Sequence, residues 1–516
     1  MRWRGLLSSS ILGKTYYIYL NSIFFAFLKT IFCAFSRAFK NSRIVHVFLR
    51  ESRLEPIYAK SLIARSFKVI IDFITGIFAG IFTFFRRYYN GSATKLFYER
   101  YLKSSFFFNY ETLLGGFICV MFIIPHSYWA NPLALIGIAG FLLLYLVLVG
   151  AGVRRPYYLH DMGLPILLFI IACVFSLLFT SARGDSLRVL MFYITALLFL
   201  YVISADITNK QRLMRLLGFI YIAVILTSLY AIYQRFVGVE VSASLTDLSI
   251  NEGVPGRVFS TLGNPNNYAE FLVIMTPMAA VFAANAERKW LRVPLCAAIV
   301  FPAIALLMTY SRSGWISMLL ACIVFVYYAN KKLLPVFFLV CVAAIPFLPD
   351  SVMIRIASLF NTQDSSNSFR IYVWSGTVKI ARDYFFTGIG LGPETFAAIY
   401  PDYAHPKALV GAPHSHMVYL ELIIELGVLG FISFMWYMLR LWKDSACSLL
   451  ASKNAVVRFT LIACLSSLIG IAFTFCVEYV WYYPRTFFAY FILAAIATAA
   501  IRITKNERNT PKYDIK

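Results

Sequence analysis

Twelve segments of this chain are each apolar over roughly the 20 residues a helix needs to cross a bilayer. They run approximately 111–129, 132–151, 162–180, 187–204, 213–235, 265–284, 291–309, 313–329, 333–348, 415–439, 457–477 and 486–503. Gly, Pro or charge marks the breaks, as in Gly152-Val153-Arg154-Arg155-Pro156 and Asn330-Lys331-Lys332. A spanning segment must satisfy its backbone polar groups internally, so these segments read as helices. Composition agrees: 60% of residues are hydrophobic and 14% charged, where a soluble domain carries about 25% charged residues. A soluble globular domain, a disordered chain and a disulfide-stapled secreted scaffold are excluded. The expected fold is an all-α polytopic membrane protein of about twelve transmembrane helices, with a large extracytoplasmic loop of short helices.

Orientation follows from Lys and Arg bias. With the first span starting in the cytoplasm, the cytoplasmic loops and C-terminal tail hold 19 basic residues and the short outer loops hold 6. Both termini are therefore expected inside. The formal charge of +23 reads as basic loops facing anionic lipid, and nucleic acid is not expected as a partner. Residues 1–105 carry 17 basic and 4 acidic residues. Their apolar runs are interrupted by Lys29, Arg37, Lys68 and Asp72, which predicts amphipathic helices on the inner leaflet; an extra hairpin of spans is the alternative. The expected organisation is thus 1–105 interfacial, 106–348 with nine spans, 349–414 outside, 415–505 with three spans, and 506–516 a cytoplasmic tail. The nine cysteines form no CxxC pair and read as small apolar side chains. No cleavable signal peptide is evident, since no compact apolar core ends in a small-residue cleavage site.

The 66 residues 349–414 hold five prolines, many aromatics and three of the chain's six histidines if His416 just beyond is counted with His405 and His414. A loop of this length is usually functional or disordered, and its aromatics favour short helices packed over the outer face. Pro413-His414-Ser415-His416 then places two histidines in the expected first turn of the tenth span. A helix N-terminus favours anions and disfavours an imidazolium, leaving a ring able to act as a base. The plainer reading is a pair of interfacial polar caps. His-x-His could also bind zinc, but no partnering Cys or suitably spaced carboxylate is evident, and no metal or cofactor is expected. Glu421 and Glu425 lie one turn apart in the same span, where a carboxylate must face protein or a polar cavity. Hydrogen-bonded packing is the preferred reading for Glu425, whereas Glu421 could support the histidines. Four arginines sit at outer ends of apolar segments: Arg257, Arg312, Arg370 and Arg485. A guanidinium fork matches phosphate oxygens, though any one of them could simply snorkel to lipid. His405, beside Pro406, reads as structural. Gly388-Ile389-Gly390-Leu391-Gly392 lacks the strand–helix context of a nucleotide loop and reads as a turn.

Four blocks resemble the O-antigen ligase and polymerase superfamily of bacterial membrane glycosyltransferases. They are Gly256–Asn266 with its Arg…Gly-Asn-Pro-Asn, Tyr310–Trp315 with Ser-Arg-Ser-Gly, Phe369–Gly392, and His414–Gly430. In the last, His416 and Met417 precede nine residues and then Gly427-Val428-Leu429-Gly430. Met417 departs from the family's usual Asn, Ser or Gln. The blocks cover about residues 256–430. The resemblance implies a GT-C-like fold and transfer of a glycan from polyprenyl diphosphate to an acceptor hydroxyl, with inversion and without a metal. It implies His416 as the base and Arg257, Arg312 and Arg370 as holders of the diphosphate, supported by His414, Tyr310, Asn264 and Glu421. The implied partners are the lipid-linked donor, a glycan, lipid or protein acceptor, and membrane lipid. A repeat-unit polymerase, or a flippase of lipid-linked sugars, is the alternative.

Overall fold

A computed structural model describes residues 54–97, 109–240, 255–358, 365–406 and 412–509, with isolated positions before residue 54 and at Arg100. Expectations for most of residues 1–53 and for the 506–516 tail beyond Asn509 lie outside the described residues. The described residues are helical, with no strand among them.

The helices are α1 (Leu62–Tyr89), α2 (Tyr110–Ile123), α3 (Pro132–Gly150), α4 (Leu164–Ser176), α5 (Arg183–Asp206), α6 (Lys210–Val237), α7 (Pro265–Ala284), α8 (Lys289–Ala297), α9 (Val300–Met308), α10 (Arg312–Asn330), α11 (Leu334–Ala344), α12 (Asp350–Ala357), α13 (Ser365–Asp383), α14 (Pro393–Ile399), α15 (Val418–Ala451), α16 (Ala455–Thr474) and α17 (Pro484–Asn509). Each of the twelve expected segments is helical. Among the described residues, ten helical stretches are long and apolar enough to cross a membrane. The difference from twelve has three sources. α2 and α4 are only 14 and 13 residues long. The eighth and ninth segments run on as one stretch, Arg312–Phe347, through a 3-10 turn at Lys331–Leu333. And α1 qualifies, although its sequence was read as interrupted.

The chain forms two compact units. One contains residues 326–347, including α11; the other contains residues 55–325 and 348–516 and carries everything described below. In this larger unit α17 is buried along nearly its whole length, from Phe487 to Ala500. A helix apolar on all sides belongs in a core. α5, α15 and α16 pack around it, α7 packs on α16, and α6 packs on both α2 and α7. Trp481, just before α17, nests among Phe169, Tyr193, Phe434, Phe475, Phe487 and Tyr490. Such ring pairs add about 0.5–1.5 kcal/mol each beyond burial, and they fix the chain immediately after Glu478.

The described parts of residues 349–414 form short helices. α13 and α14 share a small core, with Val373, Ile380, Phe396 and Tyr400 packed on Ile424 of α15. The Gly-x-Gly-x-Gly run is a turn with a second role. α15 is broken at Gly427, whose φ of 65° and ψ of −173° leave the helix. Ile389 N–H donates to the Ile424 carbonyl (2.6 Å) and Val428 N–H to the Phe385 carbonyl (2.7 Å). A Cβ at Gly388 would stand 2.5 Å from the Glu425 carbonyl oxygen. The glycines thus let the loop backbone pair with carbonyls and amides freed by the break.

α1 contacts one end of the bundle over much of its length. Ala64 packs with Leu167, Asp72 accepts from the Tyr158 hydroxyl (2.9 Å), and Ala79 approaches Gly150. All three partners lie at or beside the loop joining α3 to α4. Lys68, which interrupts the apolar run in the sequence, lies over the Tyr158 ring.

Candidate functional site

At the opposite end of the bundle, the four sequence blocks meet. Asn264 caps α7, its side chain accepting from Asn266 N–H (2.8 Å), with Pro265 at the first helical position. The chain before this cap runs beside the end of α9, so that Arg257 Nε donates to the Thr309 carbonyl (2.8 Å). Its Nη2 donates to the Asn266 side-chain oxygen (2.5 Å). Between α9 and α10, Tyr310 turns the chain sharply with φ of 50°. Its hydroxyl meets Ser351 Oγ (2.9 Å) and its carbonyl accepts from Arg355 Nε (3.2 Å). Arg312 then opens α10, with Nη1 donating to the Ser358 carbonyl (3.0 Å) and Oγ (3.3 Å).

Arg370, on α13, pairs with Glu478, in the loop between α16 and α17. Glu478 Oε1 also accepts from Asn266 Nδ2 (3.1 Å). Its other oxygen faces His416 Nδ1 at 3.8 Å, an ion-pair separation longer than a hydrogen bond. His416 N–H donates to His414 Nδ1 (3.1 Å), which makes that nitrogen the unprotonated one. Phe369 stands edge-on to the His416 ring. Glu421 accepts from Ser415 N–H (2.7 Å) and so folds the His-Ser-His turn back onto α15.

One sequence expectation changes. The histidines precede α15 rather than sitting in its first turn, because the helix begins at Val418 and His416 has a φ of 56°, incompatible with a helix. Arg485 is not in the cluster: it donates to the carbonyls of Ile124 (2.7 Å) and Thr261 (2.7 Å), tying α17 to the end of α2. Glu425 is held by Gly392 N–H (2.9 Å) and the Tyr479 hydroxyl (3.1 Å), as the packing reading expected, whereas Asn264 reaches Tyr483 (3.4 Å) rather than an arginine. His405 stacks on Tyr372, away from the other two histidines.

The structure adds two residues that sequence reasoning missed, Arg355 and Glu478, both buried. Arg355 sits in an apolar stretch of the long loop without a motif. Glu478 ends an apolar segment, and a carboxylate at a predicted outer span end near Arg485 was the available signal.

Charge gives the cluster its character. Burial, then the charges of Arg355, Arg312 and Arg370, pull the Arg257 guanidinium down to about 9, against a smaller opposing effect of Glu478. Burial by itself would push the Glu478 carboxyl up. Arg370 and then His416 and His414 outweigh it and hold the carboxyl down to about 2. Burial, then the neighbouring His416, holds His414 well below the usual histidine range. A group of guanidinium ions assembled against their mutual repulsion beside a histidine is the charge pattern of an anion site. The three non-glycine residues with left-handed backbone among the described residues, Ser260, Tyr310 and His416, each fall in one of the motif blocks. Such backbone costs about 1–3 kcal/mol per residue and clusters at functional sites.

Fold and site define a multi-pass membrane protein with a buried cationic site at one end of its helices. Residues 297–435 match the model of the O-antigen ligase family, and this stretch, which holds Arg312, Arg355, Arg370 and both histidines, is similar to that family. No curated protein matches the chain.

Proposed function

We propose that the protein transfers a glycan from a polyprenyl-diphosphate carrier to an acceptor hydroxyl, on the extracytoplasmic face of a bacterial inner membrane. The observation carrying this reading is that Arg312, Arg355 and Arg370 lie near enough to Arg257 to act on its charge, with Arg370 paired to the Glu478 that faces His416. A departing lipid diphosphate needs charge stabilisation, and preformed guanidinium groups supply it without reorganisation. The acceptor oxygen attacks the anomeric carbon as the bond from that carbon to the diphosphate oxygen breaks. The acceptor proton passes to His416 Nε2, and the lipid diphosphate leaves with the electron pair. A single displacement inverts the anomeric centre. Glu478, facing Nδ1, orients the ring and stabilises the imidazolium that forms. His414 and Glu421 hold the turn that presents His416, while Tyr310 and Asn264 position the arginine-bearing loops.

The basic bias of the loops supports this end of the bundle being outside, with both termini in the cytoplasm and residues 349–414 over the outer face. The charge-interrupted apolar runs of residues 1–105, with Asp72 and Ala64 of α1 held against Tyr158 and Leu167, support these residues forming a module on the inner leaflet. The test of function is transfer by purified protein in liposomes carrying a polyprenyl-diphosphate oligosaccharide and a candidate acceptor. Release of lipid diphosphate together with an inverted glycosidic product is expected. Donor translocation across the bilayer without covalent transfer would replace this reading with the flippase one.

A further inference from the structure

A cavity of about 180 Å³ is lined by Pro413 and Tyr482, beside His414. Its wall includes Phe192, Tyr193, Trp481, Tyr482, Glu421 and Glu425. Tyr482 is also the partner of the His414 ring, at 4.6 Å between centroids, and His414 in turn meets His416 at 4.2 Å. One layer of rings therefore separates the cavity from the proposed base. Size limits the occupant: a cavity of about 150 Å³ holds one benzene, so this one takes a single six-membered ring with its substituents. The lining limits its chemistry. Aromatic faces suit the C–H face of a pyranose, and carboxyl oxygens accept hydrogen bonds from its hydroxyls. Glu425 is fixed by Gly392, Tyr479 and Tyr193, and Glu421 by Ser415, so both oxygen sets are preorganised. The Trp481 Nε1 is buried and has no acceptor among the described residues. Arg188 also lines the cavity but is paired with Asp185, and beside two carboxyl groups it makes a poor home for phosphate, which the arginine cluster suits instead.

We infer that this cavity is a subsite for one uncharged sugar ring of a glycan substrate. The inference rests on the glycan-transfer reading for its ligand class, but binding is measurable without turnover. The probes are methyl β-glucopyranoside, methyl β-galactopyranoside and N-acetylglucosamine, added at millimolar concentration to the full-length protein in detergent and read by saturation-transfer NMR. At least one should receive signal at its ring protons. Val189→Trp, which fills the cavity from its wall, and Tyr482→Ala, which removes a stacking face, should each weaken that signal by about tenfold. Arg370→Ala should leave it. No signal from any probe, or an unchanged signal in both cavity variants, overturns the subsite. In the transfer assay, a raised acceptor KM in Val189→Trp with kcat and donor KM unchanged assigns the ring to the acceptor, and the converse assigns it to the donor glycan. If the wild type fails to transfer glycan while the NMR signal appears and is lost in the cavity variants, the catalytic reading falls and the sugar site stands.

Discussion

Buried charge occurs at both ends of the helices, and the two ends use it differently. At the α1 end, Arg154 reaches Glu111 (2.7 Å) and Asp206 (3.0 Å), Arg212 reaches the same two carboxylates (2.7 and 3.5 Å), and Arg215 meets Glu111 at 3.6 Å. Cations and carboxylates interlock there and join α2, α5, α6 and the loop after α3. At the other end, Arg257, Arg312 and Arg355 donate to carbonyl, hydroxyl and amide oxygens, and the neighbouring arginines help depress Arg257. The first arrangement is a staple that ties four elements together through paired charges. The second, on the proposed reading, is a cluster of guanidinium groups that receives the diphosphate. Burial of arginine is therefore a weak guide to function; the balance of charge around it is the stronger one.

The sharpest way to break this comparison is at the histidine. His416→Ala should lower glycan transfer by about 10²–10⁴-fold, the usual worth of a positioned base, while lipid-diphosphate donor still co-purifies or still protects the protein against heat. Glu478→Gln should retain part of the rate, because the ring loses the carboxylate that orients it and stabilises the imidazolium. Near-normal transfer by His416→Ala, or a greater loss in His405→Ala, would remove the assignment.

Next come the arginines. Arg312→Ala, Arg355→Ala and Arg370→Ala should each cost about 10²–10³ in turnover, by analogy with loss of one charge-stabilising donor, and lysine should rescue poorly because it lacks the fork. The matching experiment at the other end is Arg154→Ala or Asp206→Ala. Breaking such a buried pair costs about 3–5 kcal/mol of stability, yet transfer per folded molecule should be unchanged. Thermal melting beside a transfer assay separates the two classes. Equal behaviour of the two ends in both assays would erase the distinction.

Much of the site was legible because its residue types occur in short local blocks. Arg257 with Asn264, Arg312 behind Tyr310, and His416 ahead of Gly427 could be read a few residues at a time. What was not legible depends on long separations: Glu478 is 108 residues from Arg370 in the chain. The break at Gly427 was also hidden, since a glycine inside an apolar run looks like any spanning-helix glycine until Gly388 packs against it. The extent of α1 was misjudged for the opposite reason. Lys68 and Asp72 looked like interruptions, but a helix tolerates charge where a partner such as Tyr158 lies beside it.

Acid titration distinguishes the site further, with a smaller effect. His414 has a depressed folded value, whereas in the unfolded chain a histidine titrates near 6.5. As pH falls below about 6.5, the unfolded state takes up a proton that the folded state resists, and stability declines. Glu478 acts in a lower window: its contribution is complete above its unfolded value of 4.5 and is lost as pH falls toward about 2. Melting temperature against pH should show both steps, and His414→Asn should remove the upper one. A melting curve independent of pH between 7 and 5 in the wild type would contradict the buried neutral ring.

The smallest effect on transfer is expected at α1, and its value lies in fixing which way the two ends face. Lys68 and Arg86 are separated by about 27 Å of helix at 1.5 Å per residue, close to the roughly 30 Å of a hydrocarbon core. If α1 spans the membrane, residues 68 and 86 lie on opposite sides. On the inner-leaflet reading both lie on one side, and α1, which packs on α3 as well as beside the loop between α3 and α4, puts that reading to the test. Lys68→Cys and Arg86→Cys, each in a background without the native cysteines, should therefore both react with a membrane-impermeant maleimide in inside-out vesicles and be shielded from it in right-side-out ones. Glycan transfer should be little changed, since α1 touches the staple end and not the arginine cluster. Labelling of the two positions from opposite sides would make α1 a true span. Labelling of both from the outside would invert the topology and carry the proposed site into the cytoplasm with it.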